Sequence, residues 1–522
     1  MSNGSGGTHK WVVAGTVLTG TIMAVLDASI INVALPSMRG TLGATVEEIT
    51  WVVTGYILAQ VIVMPITGML AQRFGRRNLF LFSLLTFTVA SMLCGLARSL
   101  PLMVFFRVLQ GFGGGVIVTA AQAILRETFP PEEQGMAMGI YGMGVVVAPA
   151  VGPTLGGWIT DNYTWPWVFY VNVPVGILSA FLVTRFIRDP HYLVRDKGRI
   201  DWTGLALLAI GLGALQLMLE QGDRNDWFTS SFITTLAVIS GVGLVMFVVQ
   251  ELHTKRPSVN LRILKDRAFT TATSIGGVLG AGLFGGLFLL PLFLQNLLGY
   301  SAMWSGVVLV PRSAAMAVIM PLGGRMYNRL GPRVLAFTGL AVSAYSFWEL
   351  SHLTMDIGFW DIFWPQLWQG VGFGLLFVSL STAALSNIPP PQMTQAAGLY
   401  NVVRQVFGSV GIALSATTLT RSMSGFHARL SEHVTAFDGP TQQFIRGATA
   451  GMIQRGVDPF TARLRALKLI DLTVLQQAAV LAYNHVFLLV TILFLFTLPL
   501  ALLLRTRRLD RQSRSGPGVV AD

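Results

Sequence analysis

Asp27 is the one carboxylate placed deep inside a long apolar segment of this chain, the stretch 11–35. An ionised side chain near a bilayer centre costs at least ~2.5 kcal/mol, so it persists there as a proton relay, an ion site or a counter-charge. Three cations share such surroundings: Arg107 within RVLQG, Arg312 after Pro311, and Arg404 with Gln405 in NVVRQVFG. A buried guanidinium needs acceptors. Arg312 and Arg404 can serve an anionic ligand or a carboxyl group, or act as structural donors. Gln110, three residues after Arg107, falls near the same helix face and either binds a ligand or joins helices. A carboxyl group whose surroundings change between polar and apolar gains and loses its proton as the protein moves. Asp27 therefore reads as a proton carrier, or else as a structural acid hydrogen-bonded to Asn32 or to a neighbouring helix.

These groups need long apolar helices to position them. The 522 residues are 53% hydrophobic and only 11% charged, with a mean hydropathy of +0.62. A soluble domain is roughly a quarter charged, so a polytopic membrane protein is the class that fits. Apolar segments of span length fall at 11–35, 49–71, 79–97, 102–124, 136–158, 167–187, 202–220, 231–251, 270–298, 302–325, 334–353, 362–387, 394–420 and 479–503. They are continuous rather than alternating, which excludes a β-barrel and predicts fourteen helices. No small-residue cleavage pattern follows the first run, so it is expected to be a retained span. The single cysteine, Cys94, excludes an intrachain disulfide and any CxxC site.

The net charge of +12 has an explanation other than nucleic acid. With both termini cytoplasmic, 23 Lys and Arg fall in loops on that side, against Arg39, Arg98 and Arg224 in short loops opposite. That is the positive-inside bias. Glu220 and Glu349 sit near the outer ends of their spans and are expected to be solvated, and His485 to be interfacial.

A repeat is also visible. GMLAQRFGRR (68–77) follows the second span and GGRMYNRLGPR (323–333) the tenth; RVLQGFGGG (107–115) lies in the fourth and LWQGVGFG (367–374) in the twelfth. Gly68 and Gly323 are 255 residues apart, Gly111 and Gly370 259 apart. This agreement predicts a parallel duplication of six spans, with spans seven and eight inserted between the copies. The expected fold is an all-α membrane protein of two pseudo-symmetric six-helix bundles plus two extra helices. The expected division is 1–187 for the first bundle, 188–269 for the linker with the added pair, 270–503 for the second bundle with an outer loop 421–478, and 504–522 for a basic tail.

The layout resembles the major facilitator superfamily, and within it the fourteen-span drug:proton antiporters of the EmrB type, the inner-membrane permeases of tripartite efflux pumps. The resemblance rests on LDASIINVALP (26–36), WVVTGY (51–56), RVLQG, VAPAVGPTLGG (147–157), WVFYVNVPVG (167–176) and WPQLWQG (364–370), and it runs across almost the whole chain. It implies that Asp27 is the proton-coupling carboxylate and that Arg107 serves proton transfer or substrate. It implies that Gly68, Arg73, Gly75, Arg76 and Arg77 form a gating loop, although Gln72 stands where the family usually has aspartate. Gly142, Pro149, Gly152, Pro153 and Gly156 resemble the signature that separates exporters from importers. Small residues at 148, 152 and 156 share one helix face and permit close packing.

Asn32, Tyr56, Gln60, Gln110, Arg312, Gln366, Gln369, Tyr400, Asn401 and Arg404 are candidates to line a central cavity suited to varied amphipathic molecules, with Trp51 as a further aromatic that equally suits the interface. The 421–478 loop has a spacing that suits amphipathic helices, and the resemblance implies a periplasmic adaptor there and, through it, an outer-membrane channel. No GxxxxGK[ST] motif, HExxH or paired metal ligands are present, so the proton gradient is the expected energy source, with no metal or cofactor and no enzyme activity. The expected function is proton-coupled export of hydrophobic or amphipathic drugs across a bacterial inner membrane; the alternative is export of a native metabolite such as a fatty acid or other amphipathic anion.

Overall fold

Inside a bilayer every backbone N–H and C=O must be satisfied within the chain, so apolar segments of this length fold as helices. The computed structural model describes residues 5–189, 198, 200–254, 256–435 and 437–504. The first group comprises α1 (Ser5–Leu42), α2 (Val46–Ile49), α3 (Trp51–Phe74), α4 (Arg76–Gly95), α5 (Leu100–Thr128), α6 (Gln134–Asn162), α7 (Trp167–Tyr170) and α8 (Asn172–Phe186). An inserted pair follows, α9 (Trp202–Gln221) and α10 (Ser231–His253). The last group comprises α11 (Arg267–Asn296), α12 (Ala302–Leu350), α13 (Phe359–Ala384), α14 (Met393–Glu432), α15 (Gly439–Gln454) and α16 (Pro459–Leu502). The cations at 195, 197, 199 and 255 and the tail from 505 lie outside the described residues.

Thirteen of the described helices are long and apolar enough to cross a membrane. α12 is two spans joined at Gly331, where the backbone turns to φ 80° and ψ 166°. Fourteen spans result, as the sequence predicts. Their outward faces are as apolar as their cores: Phe82, Phe105, Phe181 and Val245 are all exposed. Lipid rather than water is the solvent these faces suit.

The duplication is repeated in atomic detail. Gly75, between α3 and α4, has φ 85° and ψ 153°, nearly the conformation of Gly331 at the same place 256 residues later. Only glycine adopts that region without strain. A Cβ on Gly111 would stand 2.3 Å from the Tyr56 carbonyl oxygen, and one on Gly370 would stand 2.3 Å from that of Arg312. The same offsets relate Gly113 against the Ser83 carbonyl to Gly372 against that of Gly339. The two copies therefore use the same glycines to bring the same helices together.

The copies meet by a second symmetric device. A Cβ on Gly139 of α6 would lie 2.3 Å from the Met320 carbonyl of α12, and one on Gly398 of α14 would lie 2.3 Å from the Met64 carbonyl of α3. Gly135 and Gly324 approach each other as closely, as does Gly68 with Gln395. All four approaches are at the end of the molecule that carries both termini. α9 packs on α3 and on α14, and its Gln216 donates to Ser409 Oγ at 2.9 Å, so the added pair leans on both bundles.

At the opposite end, α14 with 40 residues and α16 with 44 are each ~60 Å long or more, about twice the hydrocarbon thickness. The outer loop is thus largely a continuation of the two flanking spans, closed by α15. His427 on α14 pairs with Asp471 on α16 at 3.1 Å, holding the extension as an antiparallel hairpin.

Candidate functional site

Asp27 and Arg107 are both fully buried and face each other, with Arg107 Nη1 donating to Asp27 Oδ2 at 2.6 Å. A charge pair out of water is costly unless the remaining hydrogen-bonding positions are also met; here the carboxylate's are, while Arg107 Nη2 is buried without a hydrogen-bond partner. Asp27 Oδ1 accepts from Gln110 Nε2 at 2.8 Å and from Asn172 Nδ2 at 2.7 Å. Asn172 also donates to Ser91 Oγ at 3.0 Å, whose hydroxyl donates to the Phe169 carbonyl at 2.9 Å. Four helices, α1, α4, α5 and α8, are thus tied to one carboxylate.

Arg107 has a second set of partners that does not depend on Asp27. Its Nε donates to the Val52 carbonyl at 2.9 Å, its Nη1 to Gln110 Oε1 at 2.8 Å, and its Cζ lies 4.2 Å from the Tyr56 ring centroid. Tyr56 is fixed in turn by donating to the Ala24 carbonyl at 3.0 Å and accepting from Gln60 Nε2 at 3.0 Å. The guanidinium therefore keeps most of its contacts whether Asp27 is charged or neutral.

The pair is not at mid-depth. Arg107 lies seven residues into α5, ~10 Å from the end opposite the termini. An apolar cap that includes Ile30, Met38, Val52, Trp165 and Phe169 closes over it on that side. Asn32, one alternative partner for Asp27, is exposed and not among its partners. Of its two amide partners, Gln110 and Asn172, the second was not singled out from sequence; its one signal is an amide within the apolar run VNVPVG at the start of a span.

The terminus end is closed by polar contacts as well as by glycines. Arg76 pairs with Glu127 and donates to the Pro390 carbonyl at 2.9 Å, while Gln72 donates to that of Pro391 at 3.2 Å. Asn401 donates to Gln122 Oε1 at 2.7 Å and Asn328 to the Glu132 carbonyl, each crossing between the copies.

A family model described as Major Facilitator Superfamily matches residues 17–412. The chain belongs to the Major Facilitator Superfamily. It is 36% identical over 498 residues to the fatty acid resistance protein FarB of Neisseria gonorrhoeae, covering 95% of this chain and 96% of that one. It is 34% identical over 469 residues to the multidrug export protein EmrB of Escherichia coli (strain K12), covering 90% of each. Among solved structures, the human organic anion transporter MFSD10 superposes with a TM-score of 0.59 over 93% of this chain and 99% of that one, at 13% identity. The proton:xylose symporter XylE does so at 0.56 and 12% identity, covering 93% of this chain and 95% of that one, so both establish the shared fold alone. This is a multi-pass membrane transporter and not an enzyme.

Within this superfamily member, the residues read as a gating loop sit at the closed end. Arg73 donates to the Gly198 carbonyl at 2.9 Å, Arg77 N to Asp189 Oδ1 at 2.8 Å, and Arg77 Nη2 to the Thr184 carbonyl at 2.9 Å. Gln72, departing from the usual aspartate, contributes a neutral bond between the copies.

Helix α6, whose residues were expected to form an exporter signature, divides its small residues between two neighbours. Gly139 and Gly142 face Met320 and Phe377 of the other copy, whereas Gly152 and Gly156 face Ser29 and Ile30 of α1. Pro153 has no N–H to give to the Pro149 carbonyl, and Ser29 Oγ supplies that bond at 2.8 Å.

The ten cavity candidates are distributed unevenly. Tyr56, Gln60 and Gln110 are inside the first bundle, supporting the ion pair. Gln366, Gln369, Tyr400 and Asn401 are buried, Arg312 is 3% exposed, and Arg404 is half-buried over the Phe377 ring at 5.1 Å. Glu220, expected to be solvated, instead is partly buried and accepts from Gln216 Nε2 at 2.8 Å one turn back on α9, and Glu349 accepts from Tyr345 Oη at 2.7 Å. His485 bonds Ser422 Oγ at 2.9 Å. Among the described residues, no group of His, Cys, Asp and Glu is arranged to hold a metal.

Proposed function

We propose that this protein exports hydrophobic or amphipathic compounds across a bacterial inner membrane in exchange for protons, by alternating access. The observation that carries the reading is the fully buried Asp27–Arg107 pair, a carboxyl group inside the first bundle through which α1, α5, α8 and, by way of Asn172, α4 are connected. Protonation removes one charge of the pair and weakens the ties between those helices, which couples proton occupancy to helix position. The names of FarB and EmrB, a fatty acid resistance protein and a multidrug export protein, support the substrate class. No cofactor enters this scheme, since the proton gradient supplies the work.

Both termini are assigned to the cytoplasm on the strength of the cation bias, so the closed end faces inward and the long hairpin faces the periplasm. The working division of the chain is 1–187, 188–269, 270–503 and 504–522. The hairpin formed by α14, α15 and α16 carries exposed Phe437, Phe460 and Leu464, and we assign it to a periplasmic adaptor leading to an outer-membrane channel. A second reading, export of a native fatty acid or other amphipathic anion, is favoured by Arg312 and Arg404, cations of the second bundle with no carboxylate within ion-pair distance among the described residues.

The test is pH-gradient-driven efflux in everted vesicles, comparing the wild type with Asp27→Asn. The variant is expected to bind substrate but not to accumulate it against a gradient. Accumulation driven by the pH difference in Asp27→Asn would remove the central role of this carboxylate.

A further inference from the structure

Each bundle has a polar centre in which an arginine donates to a glutamine, the two glutamines equivalent in the repeat and the two arginines on different helices. In the first, Arg107 donates to Gln110 Oε1 at 2.8 Å and Gln110 Nε2 donates to Asp27. In the second, Arg312 Nη1 donates to Gln369 Oε1 at 3.1 Å, and Gln369 lies 259 residues after Gln110. A Cβ on Gly286 would lie 3.7 Å from Gln369 Nε2, so α11 faces that amide with a glycine where α1 faces its equivalent with a carboxylate.

The consequence is an imbalance. The carboxylate of the first bundle has donors on both oxygens. In the second, Gln369 Nε2 and Gln366 Oε1 are buried without a hydrogen-bond partner, and Arg312 has a single amide acceptor and no carboxylate within 4.0 Å among the described residues. Gln369 and Gln366 are each 1% exposed, so water does not serve them freely. A buried guanidinium beside an unused amide N–H puts two strong donors next to each other with one acceptor between them, an arrangement that suits an anion. Aromatic Phe347 packs on the same side of Gly286, 3.5 Å from that Cβ position, and offers an apolar wall.

We propose that the Arg312–Gln369 pair receives the anionic headgroup of a transported amphipathic monoanion, which takes in the second bundle the position that the Asp27 carboxylate holds in the first. This rests on the export reading above and narrows its substrate class. The two bundles then divide the work: the first binds the proton on a carboxylate of its own, the second binds a carboxylate or sulfonate brought by the substrate. Charge-assisted hydrogen bonds of this kind correspond to about 10- to 100-fold in affinity.

The experiment uses the full chain in nanodiscs of zwitterionic lipid and measures binding of decanesulfonate, which stays charged at every working pH, against decanol. The wild type is expected to prefer the sulfonate by about tenfold or more. Arg312→Gln should bring the ratio of the two affinities close to one, and Arg312→Lys should retain part of the preference. Gly286→Asp sets a carboxylate beside Gln369 Nε2 and should also abolish the preference, by supplying an internal anion rather than by removing the cation. A wild-type ratio near one, or a preference that survives Arg312→Gln, overturns the proposal. If Arg312→Gln does not fold, retention of the preference by Gly286→Asp overturns it instead. Reconstituted wild type that exchanges decyltrimethylammonium or decanol for protons but moves no decanesulfonate overturns this assignment and leaves proton-coupled export standing. A wild type that exchanges none of the three for protons overturns the export reading itself.

Discussion

Arg107 is held by four groups, of which Asp27 is the one with a full opposite charge. Removing one partner of a buried ion pair leaves the other uncompensated and costs about 3–5 kcal/mol. Arg107→Met should therefore lower the melting temperature of the purified protein sharply. Asp27→Asn combined with Arg107→Met should recover most of that loss while transport stays absent, because the double variant has neither the stranded charge nor the carboxylate proposed to carry the proton. Equal melting losses in the single and double variants would contradict this account. At this scale the sequence identified Asp27, Arg107 and Gln110, since each is a polar residue in an apolar run. It did not single out Asn172, because an amide at a span edge has many ordinary partners. Nor did spacing within α1 reveal that Asn32 faces away from Asp27.

The α6–α12 and α3–α14 contacts are made through glycines, and a side chain at either place has to meet a backbone carbonyl, which cannot rotate away. Gly139→Ala and Gly398→Ala would each put a Cβ 2.3 Å from such a carbonyl, so both should weaken the closed arrangement of the terminus end. Distance measurements between spin labels placed across that end are expected to show a larger open population in each single variant, by comparable amounts. The double variant should open further than either. No change in either single variant would mean that these approaches do not limit closure. Repeat motifs in the sequence had already placed Gly68, Gly111, Gly323 and Gly370 at equivalent points. That Gly139 and Gly398 are equivalent too emerges only when α6 and α14 are seen against the opposite copy.

Across the whole molecule, the hairpin of α14 and α16 extends about as far beyond the membrane as the helices extend within it. It is anchored by the spans and does not contribute to the cores of the bundles. Replacing residues 433–458 by a short Gly/Ser linker should therefore leave melting of the membrane portion unchanged within ~1 kcal/mol and abolish capture of a periplasmic adaptor. Full adaptor capture by the shortened protein would move the docking surface elsewhere. The sequence by itself determined the number of spans, the charge bias across them, the duplication with its inserted pair, and the isolated acid of the first span. Each depends on composition or on distance along the chain, and a membrane helix needs little more than an apolar run to declare itself. Only the tertiary structure decided which side of each helix faces a neighbour. In a helix surrounded by lipid the outward face is as apolar as the inward one, so no periodicity marks the buried side. The Asp27–Arg107–Asn172 cluster, the glycine closures and the uncompensated Arg312 all depend on that rotation.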